Sequence, residues 1–305
     1  MYDLIGDTHG HADALEQLLK KMGYTKKNGC YSHPGRQVIF LGDFLDRGPR
    51  IRELLGIVHP MLDSGAAVAV MGNHELNALA FHTPRPGVPG EFLRPHTPSN
   101  RCQHGATVEQ LGAEELRFHL GWIRALPFWL DLEGLRVIHA CWDERARRVV
   151  AAGLDSHGGV TDGFLHAACT PGGPLFAPTE VLLKGKEARL PEGVSFLDAD
   201  GHERRSVRTR WYLAPGGHTY RTYALQTVEV PSDAPLEPEV VAAALPYPAS
   251  EKPVFIGHYW LSSREPELLA SNVACLDYSV AKDGFLCGYR WDGESVLDKA
   301  QFVRV

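Results

Sequence analysis

The chain has 305 residues, of which 44% are hydrophobic and 22% charged, a composition that can bury a core and excludes wholesale disorder. Its net charge of −6 argues against a protein built to coat nucleic acid or an anionic membrane. No apolar run reaches the roughly 18 residues needed to span a bilayer, and the scattered cysteines form no CxxC pair. Together with the lack of a secretory signal before the first apolar run, these features make a reducing, cytoplasmic setting the expectation. Fifteen histidines stand out, because histidine is both a metal ligand and an acid/base near neutral pH.

The first 80 residues repeat one pattern three times: an apolar run, then Gly-Asp or Gly-Asn, then a segment of helical periodicity. Residues 2–5 lead to Gly6-Asp7, and Leu15, Leu18, Leu19 and Met22 follow at helical spacing. Residues 38–41 lead to Gly42-Asp43 and a helical face of Ile51, Leu54, Leu55, Val58 and Leu62. Residues 66–71 lead to Gly72-Asn73 and a third expected helix. Spacings of 36 residues from Asp7 to Asp43 and 30 from Asp43 to Asn73 suit consecutive βαβ units. Ligands bind beyond the carboxyl ends of strands in such sheets, where these three residues fall.

Five prolines make 83–105 an expected irregular loop at a site rim, followed by a helix over about 106–125. Strands are expected at 128–132 and Arg136–Ile138, the second ending at His139. Residues 143–250 are less regular. They carry a hairpin signal with Asp200-Gly201 between 194–197 and 206–212, a basic run of Arg204, Arg205, Arg208 and Arg210, and a proline-rich stretch at 231–250. Strand signals return at 253–257, at 272–276 before Asp277, and at 285–291.

Five pieces therefore fall at expected strand ends: Gly6-Asp7-Thr8-His9-Gly10, Gly42-Asp43-Phe44-Leu45-Asp46-Arg47-Gly48, Gly72-Asn73-His74-Glu75, Val137-Ile138-His139-Ala140 and Gly257-His258. Their oxygen and nitrogen donors suit Mn²⁺, Fe or Zn²⁺ rather than Ca²⁺. Singly each has an ordinary explanation. Asn73 could cap a helix, His139 could be a core histidine, and Asp46-Arg47-Gly48-Pro49 could be a turn into a helix. In this order, however, they resemble the calcineurin-like metallophosphoesterases, which carry GDxHG, GDxxDRG, GNH[DE], a later histidine and a final GH. The branch most resembled holds phosphoprotein phosphatases and bacterial symmetrical diadenosine tetraphosphate hydrolases. The resemblance covers 1–80, 136–140 and 253–292 and leaves the middle third uncovered.

That resemblance implies an α/β fold of βαβ units, with central sheets flanked by helices, in a single domain over 1–305 with a cap-like insertion at 143–250. It implies two divalent metal ions, Mn²⁺ foremost and Fe or Zn²⁺ as alternatives. Asp7 and His9 would hold the first, Asp43 would bridge, and Asn73, His139 and His258 would complete the second. A metal-bridging hydroxide would attack phosphorus, and His74 would protonate the leaving group. Asp46 would orient His74 and keep it cationic, while Arg47 would hold phosphate oxygens.

Departures from the family pattern carry information too. Met71 stands where phosphoprotein phosphatases place a phosphate-gripping arginine two residues before the Asn of GNHE. Diadenosine tetraphosphate hydrolases also lack that arginine, yet they often lose the Asp of DRG, which is present here as Asp46. The final motif, Gly257-His258-Tyr259-Trp260, lacks the second histidine of GHxH. Arg208 and Arg210, on one face of an expected strand, are candidates to replace the missing grip, and Asp277 is a further substrate-binding candidate. The expected activity is a phosphomonoesterase acting on a phosphorylated small molecule, nucleotide or phosphoprotein. Diadenosine polyphosphate hydrolysis, RNA-end phosphatase or 2′,3′-cyclic phosphodiesterase activity, and a catalytically silent regulatory binder remain alternatives. No membrane partner and no extended nucleic-acid binding are expected.

Overall fold

The computed structural model describes residues 1–197, 201–225 and 230–305. Tyr2–Ile5, Gln37–Phe40 and Ala67–Ala69 lie side by side and parallel, with Tyr2 opposite Gln37 and Phe40 opposite Ala69. Alternation along these strands sends their side chains to two faces. Leu4 and Ile39 pack against Val137, Phe255 and Ala274 of a second sheet. Ile5, Val38 and Phe40 join the helical layer, where the helices Ala12–Lys21 and Ile51–Asp63 bury Leu15, Leu18, Leu54, Leu55 and Val58. Burial on both faces is why these strands read as continuous apolar runs.

The second sheet is centred on Val254–Ile256, which runs parallel to both Arg136–Ile138 and Val273–Cys275. Trp129–Asp131 and Leu268–Ala270 close its edges antiparallel. Phe285–Trp291 extends the first sheet antiparallel to Tyr2–Ile5. Two sheets back to back, with helices outside, bring the carboxyl ends of the parallel strands to one place: Asp7, Asp43 and Asn73 follow the three of the first sheet, and His139 and His258 follow two of the three in the second.

Three expectations change. The loop expected over 83–105 gives way early to a helix at Pro98–Gln110, because the Thr97 hydroxyl accepts the Asn100 N–H and Pro98 suits the first helical turn. The single helix expected over 106–125 is broken at Leu111 and Gly112, and Ala113–Ile123 begins anew. The hairpin pairs differently as well: Phe196–Leu197 lies against Glu203–Arg204, while Ser206–Arg208 pairs with Glu187–Arg189. Asp200 itself lies outside the described residues. Within 231–250, the short helix Pro238–Ala243 interrupts the irregular backbone. No helix among the described residues is long and apolar enough to cross a membrane.

Residues 143–250 contribute to two cores. The helices Glu144–Gly153, Asp162–Cys169 and Phe176–Lys184 bury Val150, Phe164, Leu165 and Leu182 in the main core. Among the described residues, those around 187–236 build a separate core on Ala188, Leu190, Val207, Tyr220 and Tyr223. This lobe is fastened by Trp211, which is buried in the main core and donates its indole N–H to the Ala140 carbonyl at 3.2 Å. Trp211→Ala should therefore cost about 3–5 kcal/mol, the usual range for a buried aromatic, and loosen the lobe. Urea denaturation and limited proteolysis check this; an unchanged midpoint and cleavage rate would show that the lobe is fastened elsewhere.

Candidate metal centre

The turns that follow the strands are strained, and the strain aims side chains. His9, Asp43, Asp46, Arg47 and His258 all have positive φ, between 39° and 68°, a region costly for side-chain-bearing residues. Glycines make the close approach possible. A Cβ on Gly72 would sit 2.1 Å from Asp43 Oδ1, and one on Gly257 would sit 2.0 Å from Asp7 Oδ1. Glu75 holds the Asp43 turn in place. Its Oε2 accepts the backbone N–H groups of Asp43 (2.7 Å) and Gly72 (3.0 Å), and its Oε1 accepts that of Phe44 (2.8 Å). The sequence shows Glu75 within its motif but not this role, which needs a partner 32 residues away.

Asp43 is common to two donor clusters. Its Oδ2 lies 3.6 Å from His9 Nε2 and 3.4 Å from His139 Nε2. Ligating atoms of Asp43, His139 and His258 lie within 4.8 Å of one another, as do those of His9, Asp43 and His74. Asn73 Oδ1 joins the first of these clusters, 3.1 Å from His139 Nε2 and 2.7 Å from His258 Nδ1. Asp7 accepts the His258 backbone N–H on Oδ2 at 3.0 Å.

The ring orientations suit metal ligation. His9 and His139 donate Nδ1–H to the carbonyls of Leu45 (2.8 Å) and Leu41 (2.7 Å), which leaves Nε2 facing inward. Asp7 Oδ1, His9 Nε2 and His258 Nε2 are buried without a hydrogen-bond partner, an arrangement that is costly unless something else satisfies them. Electrostatics point the same way. Burial, helped by His74, drives His9 down to about 3. His139 moves oppositely: against burial, Asp43 and Asp7 push it up to about 10. Burial and the charge of Asp277 raise Asp7 well above the carboxylate range. Divalent cations would remove these conflicts by holding the imidazoles neutral and the carboxylates ionised. The donor set fits two such ions sharing Asp43.

His74, a member of the cluster with His9, donates Nδ1–H to Asp46 Oδ2 at 2.6 Å and keeps Nε2 4.0 Å from Asp43 Oδ2. Against burial, Asp43 and Asp46 raise its pKa. Asp46 also accepts from His104 and Thr107, both at 2.7 Å. His104 falls in the 83–105 stretch that the sequence marks as an irregular loop. Its signal was the i, i+3 spacing with Thr107, which acquires meaning only once 98–110 is a helix. Arg47 lays its guanidinium over the Trp260 ring at 4.1 Å, with a buried, unpartnered Nε.

Of the substrate-binding candidates, Arg208 stands apart. It ends the Ser206–Arg208 strand, and its charge lowers the pKa of His258, second only to burial. Arg210 is engaged within the lobe, donating to the Ala224 carbonyl at 3.1 Å and the Tyr212 hydroxyl at 3.4 Å. The strand stops at Arg208, so the alternation expected to align the two arginines does not continue. Asp277 is already engaged with backbone. It is buried, and its two oxygens accept the N–H groups of Trp260 (2.8 Å) and Ser279 (3.0 Å), which anchors the Trp260 turn.

The sequence pattern of the calcineurin-like phosphoesterases matches residues 2–183, and the chain belongs to that family. Its members are phosphoester hydrolases with a dinuclear metal centre. Among curated proteins, the bis(5′-nucleosyl)-tetraphosphatase PrpE [asymmetrical] of Halalkalibacterium halodurans is 46% identical over 74 residues, and that of Bacillus subtilis is 45% identical over 74. Each match covers 24% of this chain and 30% of the relative, so less than a third of the relatives' length is represented. A Saccharomyces cerevisiae protein serine/threonine phosphatase shares the fold at a TM-score of 0.51 and 13% identity, over 100% of this chain and 78% of that one. A cold-active protein tyrosine phosphatase does so at 0.50 and 18%, over 95% and 73%.

Metal analysis after dialysis against Mn²⁺ should find two ions per wild-type chain and loss of both in Asp43→Asn, since both clusters use that carboxylate. Full retention of both ions would contradict the shared-ligand geometry.

Proposed function

We propose that this chain is a dinuclear-metal phosphomonoesterase. The observation that carries the reading is the His74–Asp46 pair set directly beside the shared Asp43, a proton donor next to a cation site. Asp7 and His9 are assigned to the first ion, Asn73, His139 and His258 to the second, and Asp43 to both, with Mn²⁺ as the favoured metal. Bound divalent ions supply Lewis acidity, which activates water and neutralises phosphoryl charge.

The chain's own residues do the rest. Asp46 holds His74 Nδ1–H at 2.6 Å and so fixes Nε2 as the atom that gives its proton to the departing oxygen. Arg47, set over the Trp260 ring, offers its planar fork to phosphate oxygens. Arg208 reaches the His258 side from the lobe and takes the part of the arginine absent at Met71, a residue fully buried in this chain. The lobe around 187–236 thereby forms part of the substrate wall. A second reading, hydrolysis of a dinucleoside polyphosphate, is favoured by Met71 and by the names of the PrpE relatives.

Mn²⁺-loaded protein should hydrolyse 4-nitrophenyl phosphate. A panel of a phosphopeptide, a nucleoside monophosphate and diadenosine tetraphosphate separates the two readings by kcat/KM. No turnover of any substrate with Mn²⁺, Fe²⁺, Zn²⁺ or Co²⁺ would overturn both. Arg208→Leu should raise KM by roughly 10–100-fold, the worth of one charge-assisted hydrogen bond. An unchanged KM would remove Arg208 from the site.

A further inference from the structure

Asp46 is gripped more firmly than the orientation of one imidazole requires. Its Oδ2 takes the His74 Nδ1–H at 2.6 Å. Its Oδ1 takes the His104 Nδ1–H and the Thr107 hydroxyl, both at 2.7 Å. Thr107 Oγ1 in turn accepts the Asp46 backbone N–H at 2.9 Å. His104 and Thr107 lie one turn apart on the Pro98–Gln110 helix and so meet Asp46 from the same face. His74, Asp46, His104 and Thr107 are all buried. Behind them, His104 Nε2 lies 3.0 Å from His82 Nε2, so both ring nitrogens of His104 are engaged.

A carboxylate bound through one oxygen retains a broad, two-fold torsion. Binding the second oxygen at two points removes that freedom. We infer that His104, assisted by Thr107, is a positioning residue for the proton donor: it locks the Asp46 carboxylate so that Oδ2 always meets His74 Nδ1 and the transferable proton always sits on His74 Nε2. The inference rests on the assignment of His74 as the acid. It gives the Pro98–Gln110 helix a place in turnover, although no residue of that helix belongs to either donor cluster.

The test uses the full-length, Mn²⁺-loaded protein and two esters. A general acid matters for a poor leaving group and hardly at all for a good one. With an alkyl phosphate, His104→Leu should lose roughly 10–100-fold in kcat, part of what general-acid catalysis usually contributes. With 2,4-dinitrophenyl phosphate, kcat should stay within about three-fold, with two metal ions retained. His104→Asn, whose amide N–H can replace Nδ1–H, should recover most of the alkyl-ester rate. Thr107→Val should show a smaller loss of the same kind, and with His104→Asn it decides the matter if His104→Leu fails to fold.

Equal losses on both esters, or no advantage of Asn over Leu, would reduce His104 to a packing residue and overturn the inference. His74→Ala serves as the reference. A large, leaving-group-dependent loss there with none in the His104 and Thr107 variants rejects this inference alone. No leaving-group dependence in His74→Ala rejects the acid assignment and the inference with it.

Discussion

One buried carboxylate, that of Asp43, organises this molecule. It sits in a left-handed turn at the end of the central parallel strand pair, 3.6 Å from one imidazole and 3.4 Å from another. A charge so far from water is tolerated only when surrounded by groups that answer it. His9 and His139 do so from the two sheets, the His74 backbone N–H donates to Oδ1 at 2.9 Å, and Glu75 ties down the turn that carries it. Much of the surrounding backbone strain is explained by the need to bring these partners within reach.

Much of this centre was legible in the sequence, for a physical reason. Parallel strands buried on both faces appear as apolar runs, and in such sheets function gathers at their ends. Asp7, Asp43, Asn73, His139 and His258 could therefore be read as one group without knowledge of any angle. The antiparallel strand Phe285–Trp291 was legible from its apolar residues, since it too is largely buried on both faces. Metal-ligand chemistry needs few residue types, and they stood in order.

What could not be read depended on partners distant in sequence or on where a periodic segment stops. Arg210 seemed equivalent to Arg208 because alternation was carried past the strand's actual end. The partners of Asp277 were not legible because the turn from Trp260, which takes one of its oxygens, leaves no mark on local composition. The prolines of 83–105 hid a helix whose first residue is one of them, Pro98, since proline opens helices as readily as it breaks them. Within 143–250 the step from helices that join the main core to a lobe with its own core left no mark on composition.

The fastening of that lobe separates two kinds of change this chain can undergo. The Ala140 carbonyl, next to His139, receives both the Trp211 indole and the Tyr259 hydroxyl, the latter beside His258. The lobe is thus pinned at the backbone that spaces two inward-facing histidines, while Arg208 is carried on a small sheet above. Its outer loops can lengthen, shorten or exchange charges without disturbing that spacing, as long as the pin is kept. Sequence change in the lobe is in this way uncoupled from the spacing of the two buried histidines.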